Sequence, residues 1–329
     1  MANVLNQTIT KDFSLYNGDC VEVTKGLPDN SVHYSIFSPP FASLYTYSNS
    51  DRDMGNSKDD GEFFEHFRYL IKELYRVIMP GRLVSFHCMN LPTSKTHHGY
   101  IGIRDFRGEL IRAFEAEGFI FHSEVCIWKD PVVAQQRTKA LGLLHKQVVK
   151  DSAMSRQGIP DYLVTMRKPG DNIEPISGEF EEFVGEGVDV SREAYEKHAE
   201  ALRIKGKPVW PFEMWRSVLV WQKYASPVWM DINQSNTLQY RSAREEKDEK
   251  HICPLQLDVI ARGVELWSNP GDIVLSPFAG IGSEGYESIK MGRRFVGVEL
   301  KESYYNTAVR NLKQAVIERE EWEQAELAV

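Results

Sequence analysis

Asn269-Pro270-Gly271-Asp272-Ile273-Val274-Leu275-Ser276-Pro277-Phe278-Ala279-Gly280-Ile281-Gly282 reads as a turn, a short strand and a glycine loop. A helix-like stretch through Lys290 follows, then a turn at Gly292 and the strand Arg294-Phe295-Val296-Gly297-Val298-Glu299-Leu300. The unit is strand, glycine loop, helix and strand, closing on an acid. Glycines let the backbone approach a ligand closely and turn tightly into the helix. An acid at the end of the second strand can accept from both hydroxyls of a ribose. A lone Gly-x-Gly says little. Its place after a strand, before a helix and ahead of Glu299 makes it specific. The segment Phe278 to Gly282 lacks the third glycine of Gly-x-Gly-x-x-Gly, which argues against a dinucleotide.

The same α/β grammar runs through the N-terminal half. Phe63, Phe67, Leu70, Ile71, Leu74 and Ile78 recur at helical spacing, and Pro80-Gly81 is expected to end that helix. Arg82 to Cys88 reads as a strand, Phe106 to Glu117 as a helix closed by Gly118, and Phe119 to Trp128 as a strand. Such alternation predicts a mostly parallel sheet. In open α/β sheets, ligands sit at the carboxyl ends of strands. Val32-His33-Tyr34-Ser35-Ile36-Phe37 is a β-prone run, and Ser38-Pro39-Pro40-Phe41 opens a rigid loop at its end. A hydroxyl, an oriented carbonyl and an aromatic plate suit a flat ring carrying an exocyclic amino group. A plain strand-turn with a buried Phe reads equally well from these four residues alone. Phe13 to Cys20 is a further short strand ending in an acid, Asp19, which also suits a helix N-cap.

Ser-Pro-Pro-Phe together with Phe-x-Gly-x-Gly resembles the S-adenosylmethionine-dependent DNA amino-methyltransferases, which methylate adenine N6 or cytosine N4. The catalytic motif precedes the cofactor motif, with a long insert between them, an order that resembles the β group of these enzymes. The likeness covers roughly residues 13–130 and 225–315. It implies a Rossmann-like α/β methyltransferase with a circularly permuted motif order and a mostly parallel sheet. Residues 1–130 would form the catalytic half, 131–240 an inserted target-recognition region, and 241–329 the cofactor half. S-adenosylmethionine is the implied cofactor, with Asp19, His251, Ser276, Phe278, Gly280, Gly282 and Glu299 around it. Ser38, Pro39, Pro40 and Phe41 would hold a base flipped out of duplex DNA. His251 precedes Pro254 and a helix running to about Trp267; contact with the methionine part of the cofactor and a plain helix start both fit it.

Two positions depart from the family pattern. Ser276 stands where the family often has Asp, which removes a charge that would attract the cofactor ammonium. Ser38 stands where Asp or Asn is common, and the Ser-Pro-Pro-aromatic form leans towards cytosine N4, with adenine N6 open. An RNA or protein-glutamine amino-methyltransferase is the alternative activity, and a DNA-binding relative without catalysis is the non-enzymatic one.

The chain has 329 residues, 42% of them hydrophobic, enough for one large domain or a domain with a sizeable insert. Cys20, Cys88, Cys126 and Cys253 are scattered without Cys-x-x-Cys, so neither a disulfide framework nor a zinc site is expected, and no metal is invoked. No basic-then-apolar leader and no run of eighteen apolar residues is present, so a cytoplasmic enzyme without a membrane partner is expected. The net charge of −8 runs against nucleic acid until its distribution is read. Lys129 to Gly170 holds eight Lys/Arg against three acids, whereas Asp171 to Glu200 holds ten acids against two bases. Lys129, Arg137, Lys139, Lys146 and Arg156 are therefore the candidate phosphate contacts on double-stranded DNA, and a solvated helix face is the plainer reading. The loop Ala42 to Lys58 is polar and long, which suits a substrate-facing lid. Trp210, Trp215, Trp221 and Trp229 suggest a small aromatic core in the insert. A homodimer and a separate restriction endonuclease, as in restriction-modification pairs, follow from the resemblance alone.

Overall fold

The computed structural model describes residues 4–40, 60–93, 95, 99–138, 141–180, 188–239 and 254–327. Phe41, the Ala42 to Lys58 loop, Lys139 and His251 lie outside the described residues, as does the side chain of Arg137.

The chain opens with β1 (Asn6–Ile9), β2 (Phe13–Asn17), α1 (Cys20–Lys25) and β3 (Val32–Phe37). Next come α2 (Asp60–Val77), β4 (Ile78–Met89), the small hairpin β5 (Leu91–Thr93) and β6 (Gly102–Arg104), α3 (Phe106–Ala116) and β7 (Ile120–Ile127). The middle holds α4 (Pro131–Thr138), α5 (His145–Lys150), β8 (Asp161–Arg167), α6 (Arg192–Ile204), α7 (Phe212–Tyr224) and β9 (Val228–Trp229). The last part is α8 (Leu257–Trp267), β10 (Ile273–Ser276), α9 (Ser283–Lys290), β11 (Arg294–Glu299) and α10 (Glu302–Leu327).

One sheet runs in the order β1-β2-β11-β10-β3-β4-β8-β7-β9. β2, β11, β10, β3 and β4 are mutually parallel, and β8 lies antiparallel to both β4 and β7. The two strands made last in the chain therefore fill the gap between two made near its start. This is the permuted order expected from the motifs, written in three dimensions. The crevice between β10 and β3 is where connections leave in opposite directions, the position at which such sheets bind ligands.

Both faces are covered because each helix carries one apolar stripe. Phe63, Phe67, Leu70, Ile71 and Leu74 of α2 pack with Phe106, Leu110 and Phe114 of α3 over Val84 and Phe86. Val259, Ile260 and Val264 of α8 meet Ile289 of α9 and Ala308, Leu312 and Ala315 of α10 on the other face. Among the described residues no helix is long and apolar enough to cross a membrane.

Two expectations need correction. Pro80-Gly81 does not end α2; the helix stops at Val77, and the dipeptide sits inside β4. The β3–β4 register shifts at that level, and Gly81 has φ 74°, the backbone of a bulge. The interval 131–240 is not all insert, because β8 completes the sheet between β4 and β7, and β9 extends it. Ser85 and Thr165 face each other across the β4–β8 pair with their hydroxyls 2.8 Å apart, so both buried polar groups are satisfied. The tryptophans also divide: Trp229 joins the main core and Trp215 packs on Tyr195 and Phe212, while Trp210 and Trp221 are half exposed.

Candidate active site

The glycine loop forms because β10 ends on a buried serine and two glycines take left-handed backbone, φ 53° at Gly280 and 88° at Gly282. The Glu299 carboxylate accepts from the Gly280 N–H through Oε2 and from the Lys301 N–H through Oε1, both at 2.8 Å. Asn17 donates through Nδ2 to the carbonyls of Glu299 and Leu300, and Gly18 N–H donates to the Glu299 carbonyl. These bonds draw Asp19 beside Glu299. Asp19 caps α1 by accepting from the Glu22 N–H at 2.9 Å, so the capping role is real. A side chain added at Gly280 would meet nothing within 4 Å, which is space for a ligand. Ser276 Oγ and Ser283 Oγ are buried without a hydrogen-bond partner. Orphaned hydroxyls beside such space suit a polar cofactor that supplies the missing partners. Burial pushes the Cys20 thiol well up, reinforced by Asp19 and Glu299, so this cysteine is an unreactive part of the wall.

Ser38 is brought to the same edge by strand register. β10 pairs with β3 at Val274–Tyr34 and Leu275–Ser35, so Ser38 stands two residues past the level of Ser276, about 7 Å along the strand. Phe278 bridges the two, its ring 5.7 Å from that of Phe37. Phe37 pairs with Phe86 of β4, which sets His87 next to Ser38. Ser38 Oγ lies 3.3 Å from His87 Nδ1, and His87 Nε2 lies 3.1 Å from Asp161 Oδ2 at the start of β8. Asp161 Oδ1 accepts from Lys129 Nζ at 2.5 Å. Burial pulls the Asp161 carboxyl upward, but His87 and Lys129 outweigh it and hold it below the ordinary carboxylate range.

Lys129 was expected on phosphate; it is instead committed to a buried carboxylate, which needs a cation beside it. Lys168, in the same basic stretch, is likewise buried and donates to Asn30 Oδ1 and the Ile78 carbonyl. Lys146 on α5 is exposed, and Arg156 donates to the Gln157 carbonyl from a half-buried position.

Sequence reasoning passed over His87, Asp161 and Glu284. A polar alternation, Ser85 then His87, in an apolar strand ending at the ligand edge could have flagged the histidine. At the opposite edge of the sheet, His33, Glu174 and Asp272 bring three potential metal ligands together. The Arg82 guanidinium lies 3.2 Å from Asp272 and 3.8 Å from Glu174. His33 Nδ1 accepts from the Ile273 N–H, leaving the proton on the nitrogen that faces the acids. That cluster is an ion-pair clip.

A family described as DNA methylase matches residues 32–310. The Bacillus subtilis type II methyltransferase M.BglII is 23% identical over 300 residues, covering 89% of this chain and 67% of the relative. The Thermus thermophilus protein TTHA0409, solved in complex with S-adenosyl-L-methionine, superposes with a TM-score of 0.61 at 20% identity, covering 92% of this chain and 93% of that one. The cytosine-N4-specific PvuII DNA methyltransferase superposes with a TM-score of 0.58 at 15% identity, over 94% and 90% of the two chains. At these identities the two superpositions speak for a shared fold.

Proposed function

This chain belongs to the DNA methylase family, and on that premise we propose that Ser38 and the Pro39 carbonyl present an exocyclic amino group of a flipped DNA base to S-adenosylmethionine. S-adenosylmethionine, the cofactor of the enzyme, supplies a methyl group on a sulfonium, which leaves readily. The chain supplies position. Glu299 and Asp19 would hold the nucleoside part, with Gly280 and Gly282 giving the backbone room. Ser276 and Ser283 would take up the methionine part, where their hydroxyls lack partners.

On the substrate side the Ser38 hydroxyl and the Pro39 carbonyl accept the two amino hydrogens, which turns the nitrogen lone pair towards the methyl group. Neither Pro39 nor Pro40 carries an N–H to compete for these acceptors. Phe41 follows them as the stacking plate in this reading. The rate then comes mainly from orientation and fixed dipoles. Lys146 and Arg156 would meet the phosphates in the same reading. The observation that carries the proposal is register: β10 and β3 are hydrogen-bonded neighbours, so cofactor loop and Ser38 open onto one crevice.

Cytosine N4 is the first base to test, on the strength of the Ser-Pro-Pro form; adenine N6 offers the same pair of donors. Plasmid DNA methylated by the enzyme, digested to nucleosides and analysed by mass spectrometry, should yield N4-methylcytosine. N6-methyladenine in its place would reassign the base and keep the reaction. Methylation of RNA or of a glutamine amide, with duplex DNA untouched, would overturn the proposal.

A further inference from the structure

We infer that His87, backed by Asp161 and Lys129, is a positioning residue for the reaction: it takes the Ser38 hydroxyl proton in a hydrogen bond and so aims a serine lone pair at the target amino group. The inference rests on the amino-methylation reading above. Its ground is a continuous chain of side chains from Ser38 through His87 and Asp161 to Lys129, with separations of 3.3, 3.1 and 2.5 Å.

The polarity of this chain is set by its far end. Asp161 is 3% exposed, and its lowered pKa leaves it an anion that can only accept. The imidazole nitrogen facing it, Nε2, lies 3.1 Å from Asp161 Oδ2 but out of hydrogen-bond alignment, and the carboxylate charge keeps the proton on that nitrogen. Nδ1 is then an acceptor, and the hydrogen bond to it must come from the Ser38 hydroxyl. With that proton committed, the Ser38 oxygen meets the base only as an acceptor. A free serine rotates its proton among several directions, some of which point a donor at the amino group. Because Asp161 lies on an antiparallel strand, its position at the first residue of β8 is also at the ligand edge. Among the described residues, Arg107 of α3 and Glu124 of β7 pair at 3.0 Å close by, and Asp105 lies in the same neighbourhood.

The same chain gives the displaced proton a route. Methyl transfer forms an N–C bond, breaks the S–C bond and leaves the nitrogen cationic. That nitrogen gives a proton to Ser38 Oγ as the serine passes its own to His87 Nδ1. The resulting imidazolium faces the Asp161 carboxylate, and water takes the proton after the products leave.

The test measures methyl transfer to duplex DNA in single turnover for the wild type, His87→Asn and His87→Ala. Cofactor Kd is measured alongside to confirm the fold. His87→Asn keeps an acceptor amide near the Nδ1 position, so it should stay within about tenfold of the wild type. His87→Ala should fall at least about tenfold, and below His87→Asn, with cofactor Kd within about twofold, because only orientation is lost. An unchanged rate in His87→Ala, or a His87→Asn rate no higher than that of His87→Ala, overturns the positioning role alone. A wild type that transfers nothing to DNA overturns the functional reading beneath it. If the alanine variant does not fold, a His87→Asn rate more than about tenfold below the wild type overturns the role.

Discussion

Glu284, in the first turn of α9 and 4% exposed, shows how much a single buried acid can impose. Burial first, and then the charge of Glu299, pushes its carboxyl up to about 8. Between the ordinary glutamate value and about 8 the folded protein keeps a proton that the unfolded chain has lost. Stability therefore falls as pH rises through that window. Glu284→Gln keeps the shape and removes the titration. Cofactor-free Glu284→Gln should be more stable than the wild type at pH 9, by on the order of 5 kcal/mol at most, with the gap closing towards pH 4.5. Urea unfolding at several pH values measures this, and a gap that does not vary with pH contradicts it. At this scale the sequence was partly legible. Ser38, Gly280, Gly282 and Glu299 announce themselves because each stands at the end of a strand or in the loop after one. Glu284 looks like any helical glutamate, since nothing in the sequence says that its side of α9 is closed off by the rest of the fold.

At the scale of elements, the junction of α2 and β4 shows why Pro-Gly was misread. The dipeptide commonly ends helices, but here the helix has already ended and the glycine makes a bulge. Gly81 has φ 74°, and a side chain there would come within 2.6 Å of the Asn172 backbone nitrogen. Gly271, in the turn before β10, has φ 84° but open space around it. The two glycines separate strain from crowding. Gly271→Ala should cost about 1–2 kcal/mol, from the left-handed backbone alone, and Gly81→Ala at least about 3 kcal/mol. Equal losses in denaturant unfolding would mean that the segment at Asn172 yields freely. The strand β8 escaped detection for a related reason. Its charged flanks, Asp161 and Arg167, merge with the basic stretch around them. Motif reading looks to the last residue of a parallel strand, whereas an antiparallel strand brings its first residue to the ligand edge.

For the whole molecule, the permuted order leaves the central strands β10 and β3 far apart in sequence, and their union must be secured by contacts between the two halves. Arg82 of β4 does this at the edge away from the active site. It is fully buried and reaches Asp272, just before β10, with Glu174 and His33 close by. Arg82→Met would strand a buried carboxylate and should cost about 3–5 kcal/mol in urea unfolding; a loss below about 1 kcal/mol would show that the clip is dispensable. The permuted motif order and the mostly parallel sheet were legible because the glycine loop, the acid-ending strands and Ser-Pro-Pro each mark a strand end. The 131–240 interval was not, since two of its strands serve a sheet built mainly by residues outside it. On the proposed function, Ser38, across the crevice from the glycine loop, directs methyl transfer to DNA. Transfer of a labelled methyl group from S-adenosylmethionine to plasmid duplex, compared between the wild type and Ser38→Ala, tests it most directly. Label should appear on DNA with the wild type and fall at least about tenfold with Ser38→Ala at unchanged cofactor affinity. Cofactor bound but no label on DNA with the wild type, or full labelling by Ser38→Ala, would contradict it.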